Sequence, residues 1–350
     1  MTKPAYKPPL TVAQIKRRKT NGIRIASTFA GGGGSSTGYR MARGKVVWAN
    51  EFIEAARDTY RLNWPDTFVN GADIRDLTPE QILEEAGGEI DILDGSPPCA
   101  SFSVAGKRHK HWGDVKKYSD GSQRTDDLFF EFARILIGIQ PKVFIAENVK
   151  GLMQGKARGY FKMIHKALGD CGYRVQARLI TASWLGVPQA RQRVIFVGVR
   201  NDLEKDPVFP TPDKFYYTIA DACPWVVDDK IATPPVEPDS DMSKYPSKAP
   251  AWRSLRLGGK HHKYVQLRRA HPDLPAHTLL AQDGYGGTSA VCHPFECRKF
   301  SIAEVKRLCS FPDDYQLTGS YAQQYERMGR SVPPVMMKRV AEAVMEGILL

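Results

Sequence analysis

Short apolar runs of strand length alternate with segments of helical periodicity along the first 200 residues. Strands are predicted at residues 23–29, 45–50, 67–70, 91–93, 142–146, 173–181 and 194–199. Helices are predicted at residues 55–63, from Asp126 to the residue before Pro141, and at residues 160–168. The second of these has its apolar face at Leu128, Phe132, Ile135 and Ile139. This alternation predicts a doubly wound α/β fold with a mostly parallel sheet.

The composition is that of an ordinary folded protein of 350 residues, with 42% hydrophobic and 25% charged residues. This length predicts one large domain and a smaller one. No signal peptide or membrane-spanning run is visible, and the six cysteines include no CxxC pair. We therefore expect a cytoplasmic protein without disulfide bonds or a metal site.

The net charge of +12 favours a polyanionic partner such as nucleic acid. Six of the cations lie in residues 1–22, which contain no acidic residue. We expect this segment to be a flexible basic arm, either a solubilising tail or a contact for phosphates.

Three predicted strands end in residues that suit a nucleotide-like ligand. The first runs into a glycine-rich turn at residues 30–36, where the backbone can approach a ligand closely. The second ends at Glu51, in the position of an acid that binds a ribose diol, and the third ends at Asp73. Together they predict a crevice for an adenosine-bearing cofactor.

Cys99 follows the fourth predicted strand and the sequence Gly95-Ser96-Pro97-Pro98. The prolines stop the strand and stiffen the loop, and open α/β sheets bind ligands at this edge. The residue could be a small buried hydrophobe or a nucleophile, and a thiol with a pKa of about 8.5 needs activation for the second role.

Basic and acidic side chains follow at later strand ends. Residues 107–124 form a basic loop, which is either a solvated surface or a contact for a phosphate backbone. Glu147 ends the fifth strand, as Cys99 ends the fourth, although a helix N-cap would also explain an acid there. Arg191 and Arg193 alternate at the entry to the last strand, so we expect them on one face, aimed at a phosphate or at O2 of a pyrimidine.

These motifs, in this order, resemble the DNA cytosine-5 methyltransferases of bacteria and phages. The resemblance covers the chain from residue 23 and rests on Phe29-Ala30-Gly31-Gly32-Gly33, Ser96-Pro97-Pro98-Cys99, Glu147-Asn148-Val149 and Gln189-Ala190-Arg191-Gln192-Arg193. It implies a Rossmann-like S-adenosylmethionine-dependent sheet with a second, smaller target-recognition domain. The expected divisions are a catalytic domain at 23–200, a target-recognition domain at 201–297, and a return to the catalytic domain at 298–350.

The resemblance also implies residue roles. Cys99 would add to C6 of a flipped-out cytosine, Glu147 would bind N3 and the exocyclic amine, Arg193 would polarise O2, and Arg191 would support the site or contact the backbone. The implied cofactor-binding residues are Phe29, Ala30, Gly31, Gly33, Glu51, Phe52, Asp73, Ile74, Pro98, Leu128, Arg330 and Ser331.

The partner implied by the resemblance is double-stranded DNA, bound by a monomer. Residues 201–263 contain nine prolines and end in a basic, aromatic run. Base-edge readers could lie among Arg253, Arg256, Lys260 and His261, and phosphate contacts explain the same residues equally well. The expected DNA-binding residues are Lys107, Arg108, Arg124, Arg253, Arg256 and Lys260. A role in restriction–modification fits this family.

Two departures from the family pattern leave alternatives open. Ala100 replaces the usual Gln after the cysteine, and Arg330 stands where the family has Asn in Gly-Asn-Ser-Val. Arg330 could turn outward to solvent, to a DNA phosphate or to an internal acid, with ordinary S-adenosylmethionine as cofactor. It could instead select carboxy-S-adenosylmethionine and yield 5-carboxymethylcytosine. An RNA cytosine-5 methyltransferase and a DNA-binding protein without catalysis are the other functions that the sequence allows.

Overall fold

The computed structural model describes residues 3–98, 127–155 and 157–350, and the backbone of two strands at 115–118 and 121–124. The chain divides into two compact units. We call residues 18–180, 192–211 and 337–350 the sheet unit, and residues 1–17, 181–191 and 212–336 the second unit.

A seven-stranded sheet forms the centre of the sheet unit. The strands of this unit are β1 (Arg24–Thr28), β2 (Lys45–Asn50), β3 (Phe68–Asn70), β4 (Ile92–Gly95), β5 (Val115–Tyr118), β6 (Gly121–Arg124), β7 (Val143–Val149), β8 (Tyr173–Thr181) and β9 (Gln192–Arg200). β5 and β6 form a separate antiparallel pair, and the others follow the order β3-β2-β1-β4-β7-β9-β8. The pairs from β3 to β7 are parallel, and β7 and β9 are antiparallel. The predicted doubly wound α/β fold is confirmed.

Helices follow the strands with recognisable start and stop signals. The sheet unit contains α2 (Gly34–Met41), α3 (Glu54–Asn63), α4 (Pro79–Ala86), α5 (Leu128–Ile139) and α6 (Ala157–Asp170), after α1 (Val12–Lys16) of the second unit. The Thr78 side chain accepts from the N–H of Gln81 to cap α4, Pro79 opens its first turn, and Gly87 ends it with a left-handed φ of 71°. Gln140 ends α5 at a φ of 50°, just before Pro141, which cannot continue a helix.

An apolar core lies between one face of the sheet and helices α4, α5 and α6. The predicted apolar face of α5 is buried there, with Phe132 fully enclosed. Its ring packs edge-on against Phe144 of β7 at 6.0 Å, and Phe144 packs against Tyr173 of β8 at 5.3 Å. These contacts fix the central strands whose ends carry the candidate chemistry.

The second unit combines short helices with a two-stranded sheet. Its elements after α1 are α7 (Ile219–Ala222), α8 (Lys248–Arg253), β10 (Arg268–Arg269), β11 (Val291–Cys292), α9 (Ile302–Leu308) and α10 (Tyr321–Arg330). A final helix, α11 (Pro334–Val344), precedes the carboxyl terminus. A capping box of Ser301 and Glu304 starts α9, and Glu304 also binds the guanidinium of Arg298 at 2.7 Å. A small core around Trp252 and Leu267 supports these elements.

The start of the chain differs from the flexible arm expected from its charge. Thr11 and Gln14 form a capping box for α1, which buries Val12 and Ile15 within the second unit. The N–H of Val12 donates to Asp314 at 2.7 Å. The spacing of Val12 and Ile15 provides one apolar helix face, and its burial outweighs the freedom of a charged tail.

The division of the chain also differs from the expected boundaries. Residues 298–336 belong to the second unit rather than to the sheet unit, to which the chain returns at residue 337. One reason is that Lys299 is tied to earlier residues of the second unit: its N–H donates to the carbonyl of Ser240 at 2.9 Å, and its side chain donates to the carbonyl of Tyr285. Within the described ranges, no helix is long and apolar enough to cross a bilayer.

Candidate active site

The order of strands reverses at the pair β1–β4. Ser27 and Thr28 at the end of β1 pair in parallel register with Asp94 and Gly95 at the end of β4. The turn after β1 and the loop after β4 therefore begin side by side, at the edge of the sheet. In doubly wound folds this reversal opens a crevice for ligands.

The turn after β1 has an unusual backbone. Phe29 has a φ of 53°, a region that non-glycine residues occupy rarely and at a cost in strain. Gly31 and Gly33 follow with φ values of 55° and 88°, and Gly33 is the N-cap of α2. A Cβ on Gly31 would meet no atom within 4 Å, so open space adjoins the backbone at this point.

Glu51 lies beside this turn, as the sequence predicts. Its carboxylate accepts hydrogen bonds from the N–H groups of Gly31 at 2.7 Å and Ile53 at 2.8 Å. The preceding residue, Asn50, donates to the carbonyl of Ala72 at 2.9 Å and so links the ends of β2 and β3.

Asp73 and Phe52 are both partly exposed next to these strand ends. Asp73 pairs with Arg75 at 3.0 Å, and Arg75 pairs in turn with Asp127 at 2.5 Å. Ile74 and Leu128 were expected in the cofactor site, but both are enclosed in the core, with 1% and 0% of their surface exposed. The helix face that contains Leu128 packs into the core, so in this structure these two residues support the crevice from behind.

The residues at these three strand ends fit an adenosine-bearing group. The crevice offers two partly exposed carboxylates, Glu51 and Asp73, which can accept from hydroxyl or amino groups, and the aromatic rings of Phe29 and Phe52. The open space at Gly31 and the uncapped first turn of α2 leave room for an anionic group.

The candidate nucleophile lies outside the described residues. Cys99, Lys107 and Arg108 all fall in residues 99–114, and Arg124 is described only as part of the backbone of β6. The entry to this loop is described: the side chain of Asn148 donates to the carbonyl of Pro97 at 3.0 Å. The end of β7 thus fixes the backbone two residues before Cys99.

Glu147 and Arg193 meet on neighbouring strands. The Nε atom of Arg193 on β9 lies 2.5 Å from Oε1 of Glu147 on β7, and the side chains are 12% and 10% exposed. The N–H is not aligned with Oε1, so this buried oxygen accepts no hydrogen bond from a protein group. Glu147 and Arg193 therefore form a buried ion pair, in which Oε1 of Glu147 is not hydrogen-bonded to the protein.

Arg191 lies elsewhere. It is 1% exposed and donates to the carbonyls of Leu279 at 3.3 Å and Gly329 at 2.9 Å, all within the second unit. Arg193 belongs to the sheet unit, and Arg191 belongs to the second unit. The reason is that β9 begins at Gln192, so Arg191 lies outside the strand. Its contacts are those of a supporting residue.

Comparison with known proteins identifies the family. Residues 23–346 match the family model for the C-5 cytosine-specific DNA methylases. Type II methyltransferase M.PspPI of Psychrobacter is 32% identical over 91% of this chain and 78% of its own length. Type II methyltransferase M.NgoFVII of Neisseria gonorrhoeae is 32% identical over 93% of this chain and 87% of its own.

The chain belongs to the C-5 cytosine-specific DNA methylases.

Solved structures agree with this fold. A prophage-encoded Escherichia coli protein, assigned as a DNA modification methyltransferase, superposes with a TM-score of 0.73 at 22% identity, over 93% of this chain and 99% of that one. A DNMT2 variant from Spodoptera frugiperda gives 0.66 at 20% identity, over 91% and 98%. The protein is a DNA cytosine-5 methyltransferase, and its relatives are restriction–modification enzymes.

Arg330, at the position where the sequence departs from the methylase pattern, is paired with an internal acid. Its Nη2 lies 2.6 Å from Oε1 of Glu326, one turn earlier on α10, and the Glu326 side chain is 3% exposed. The other carboxylate oxygen of Glu326 accepts from the hydroxyl of Tyr285 at 2.5 Å. Ser331 ends α10, where its hydroxyl donates to the carbonyl of Met328 at 2.8 Å.

The methylase has exposed cations in the second unit. Arg253, Arg256 and Lys260 are all exposed, and their side chains take part in no ion pair among the described residues. Arg269 is different, because its guanidinium donates to the carbonyls of Leu255 and Pro294 and covers the Trp252 ring at 4.4 Å.

Three rings stack beside these cations. His261 lies 4.6 Å from His262 and 5.0 Å from Tyr264, measured between ring centroids. Its Nδ1 accepts from the N–H groups of Lys263 at 3.2 Å and Tyr264 at 3.1 Å. These bonds favour the neutral ring, and partial desolvation and neighbouring cations also lower the pKa of His261. The ring therefore presents Nε2–H as a donor.

The sequence patterns did not indicate one residue of this site, Asp94. Asp94 on β4 is 1% exposed and accepts hydrogen bonds from Ser27 of β1 and Tyr39 of α2. An acid inside an otherwise apolar strand, five residues before Cys99, was the signal that could have revealed it.

We expect Arg193→Met to destabilise the methylase by about 3 kcal/mol, because it leaves the carboxylate of Glu147 buried without its counter-charge. The double variant Glu147→Leu/Arg193→Met should recover most of this loss. Urea denaturation of both variants measures the effect.

Lys166→Met is the matched control, because its pair with Asp170 is exposed. It should change stability by less than about 0.5 kcal/mol. Equal losses from the buried and the exposed pair would contradict the idea that burial makes the Glu147–Arg193 pair costly to break.

Proposed function

We propose that the methylase acts as a monomer on double-stranded DNA and methylates C5 of a flipped-out cytosine through a covalent bond to Cys99. The observation that carries this proposal is the Glu147–Arg193 pair near the end of β7, in which one buried carboxylate oxygen accepts no hydrogen bond from a protein group. The tether from Asn148 to Pro97 supports it, because it holds the start of the Cys99 loop at the end of the same strand, β7.

S-adenosylmethionine supplies an electrophilic methyl group when it is bound. We propose that Glu51 accepts from its ribose hydroxyls, that Asp73 and Phe52 bind the adenine, and that the turn at Phe29, Ala30, Gly31 and Gly33 accommodates the remainder. Pro98 and Ser331 also belong to the expected cofactor-binding residues. Glu51 must then exchange its hydrogen bonds to Gly31 and Ile53, at least in part, for bonds to the ligand.

The protein residues activate the base. The Cys99 thiolate forms a bond to C6 of cytosine, and the electron pair of the C5–C6 double bond makes C5 nucleophilic. Glu147 bonds N3 and the exocyclic amine, and Arg193 donates to O2, where negative charge develops. After methylation, loss of the proton on C5 restores the double bond and breaks the C6–sulfur bond, which regenerates the thiolate. The base must leave the helical stack because both ring faces are covered within a duplex.

We propose that the exposed cations of the second unit bind the DNA backbone and that His261 reads a base edge. Among the described residues, Arg253, Arg256 and Lys260 have no acidic partner that would have to be displaced, so they can neutralise phosphates. The fixed donor of His261 suits an acceptor such as purine N7 in the major groove.

We propose ordinary S-adenosylmethionine as the cofactor of this methylase. The pairing of Arg330 with Glu326 supports this choice, because a guanidinium that is already neutralised has little left to offer a carboxylated methyl group. Carboxy-S-adenosylmethionine is the second candidate.

We expect Cys99→Ser to bind a target duplex with near-native affinity and to lose turnover by roughly a thousandfold or more, because only the nucleophile changes. A duplex with 5-fluorocytosine at the target position should trap the native enzyme as a denaturation-resistant adduct, and should not trap the variant. Cys297→Ser is the control, since Cys297 is a partly exposed cysteine of the second unit, and it should still be trapped. Adduct formation by Cys99→Ser would contradict the mechanism.

Lys260→Ala and Arg256→Ala should each weaken duplex binding uniformly across sequences and reduce the slope of log K against log salt by about 1. Lys166→Ala, on the sheet unit, should leave the slope unchanged. His261→Gln should instead relax the target sequence at one position, measured by bisulfite sequencing. An unchanged slope in both Lys260→Ala and Arg256→Ala would place the DNA interface elsewhere.

With both cofactors in competition, the native enzyme should produce only 5-methylcytosine, measured by mass spectrometry of nucleosides. Arg330→Asn should give the same product, because the guanidinium is committed to Glu326. A carboxymethyl product from the native enzyme that disappears in Arg330→Asn would establish the carboxylated cofactor instead.

A further inference from the structure

A carboxyl group is buried directly beneath the glycine-rich turn. The side chain of Asp94 accepts hydrogen bonds from the Ser27 hydroxyl at 2.7 Å and from the Tyr39 hydroxyl at 3.1 Å. Asp94 and Tyr39 are 1% and 0% exposed. These bonds join three elements: the end of β1, helix α2 and the end of β4.

The backbone of Asp94 is tied to the same strand. Its carbonyl accepts from the hydroxyl of Thr28 at 3.0 Å, on the opposite face of the sheet from Ser27. Gly95, the next residue, has no room for a side chain, because a Cβ there would lie 2.5 Å from Phe132 and 2.7 Å from Thr28. The end of β4 is therefore fixed on both faces, and the chain enters the Cys99 loop directly from it.

A carboxyl group at this buried position lowers the stability of the folded protein. Burial raises the pKa of Asp94 to about 7, and the negative charge of Glu147 on β7 raises it further, whereas the hydrogen bonds from Ser27 and Tyr39 oppose this rise. An apolar residue would fill the same space without a cost for desolvating a carboxylate. A buried carboxyl group that lowers the stability of the folded protein in this way is a candidate for a functional role.

We propose that Asp94 is a positioning residue that, in its ionised form, holds the cofactor turn and α2 in register with the strand end leading to Cys99. The carboxylate can accept from both hydroxyls at once. A protonated carboxyl group must itself donate a proton, so one of the two bonds is lost or reversed and the link between β4 and α2 loosens. This proposal rests on Cys99 as the nucleophile.

The test is Asp94→Asn, which retains the shape and stays neutral at every pH. We expect kcat of the native enzyme to rise through neutral pH and kcat of the variant to stay low and flat. The ratio of the two should grow from near unity at about pH 5.5 to roughly 10- to 100-fold at about pH 8.5. KM for the duplex should change little, because the DNA contacts are untouched.

The thermal stability of the native protein should fall as pH rises, whereas its kcat should rise. The folded-state pKa of Asp94 is raised above its usual value, so the native protein loses stability as pH rises from about 4 to about 7. The amide of Asp94→Asn carries no such cost, and the variant should melt at a higher temperature than the native protein at about pH 8, with the difference shrinking as pH falls and disappearing only below about pH 4. A residue with a merely structural role would show lower stability and no change in the pH profile of kcat.

Two variants supply controls. Ser27→Ala removes one donor to the carboxylate, so it should move the inflection of kcat to higher pH. Asp283→Asn changes a second buried acid, whose pKa burial also raises to about 7, in the second unit. It should share the pH-dependent gain in melting temperature and leave the pH profile of kcat as in the native enzyme.

Trapping on 5-fluorocytosine separates failure of this proposal from failure of the proposed function. If the native enzyme forms no adduct, the Cys99 mechanism fails. If the native enzyme is trapped and Asp94→Asn matches it in trapping rate and in kcat at every pH, the positioning role of Asp94 is overturned. The proposal is supported if the native enzyme is trapped and if Asp94→Asn is trapped more slowly than the native enzyme at high pH only.

Discussion

The parallel pairing of β1 with β4 is the constraint on which the candidate site depends. Two strands far apart in the chain are hydrogen-bonded in register, and the sheet grows outward from them in opposite directions. The glycine-rich turn and the loop that contains Cys99 therefore start from adjacent backbones. Apolar packing on one face holds these strands, and on the other face Ser27 and Tyr39 hold the carboxyl group of Asp94.

The charged groups of the methylase fall into two classes. Arg269, Arg298 and Arg191 donate hydrogen bonds to carbonyls or to a buried carboxylate. These contacts join segments of the second unit. Arg253, Arg256 and Lys260 lie at the surface and form no ion pair with any residue that the structure describes. The net positive charge therefore overstates the number of cations that can bind DNA, because several of them are structural.

The strands and the site at their ends were predictable because each carries local signals. Apolar runs mark the strands, glycines mark the turn after β1, Glu51 and Asp73 follow strand ends, and Glu147 lies near the end of β7. The residues whose surroundings the sequence did not predict are those with partners that are distant in the chain. Nothing near Arg191 indicates that it binds Leu279 and Gly329, and nothing near Val12 indicates that Asp314 accepts its N–H. Ile74 and Leu128 sit beside the right strand ends, but their burial depends on how the helices pack.

The segment at residues 181–191 has a consequence for how such enzymes exchange specificity. Recombination between relatives could replace the continuous stretch 212–336 with two crossovers, and would leave this short segment of the host behind. Its contacts are mostly with main-chain groups: Gln189 bonds Leu279 and Leu308, Ala190 donates to the carbonyl of Ala276, and Arg191 bonds two carbonyls. Main-chain groups are the same whatever side chains an incoming stretch carries. The host segment can therefore make the same hydrogen bonds to an incoming stretch whose side chains differ.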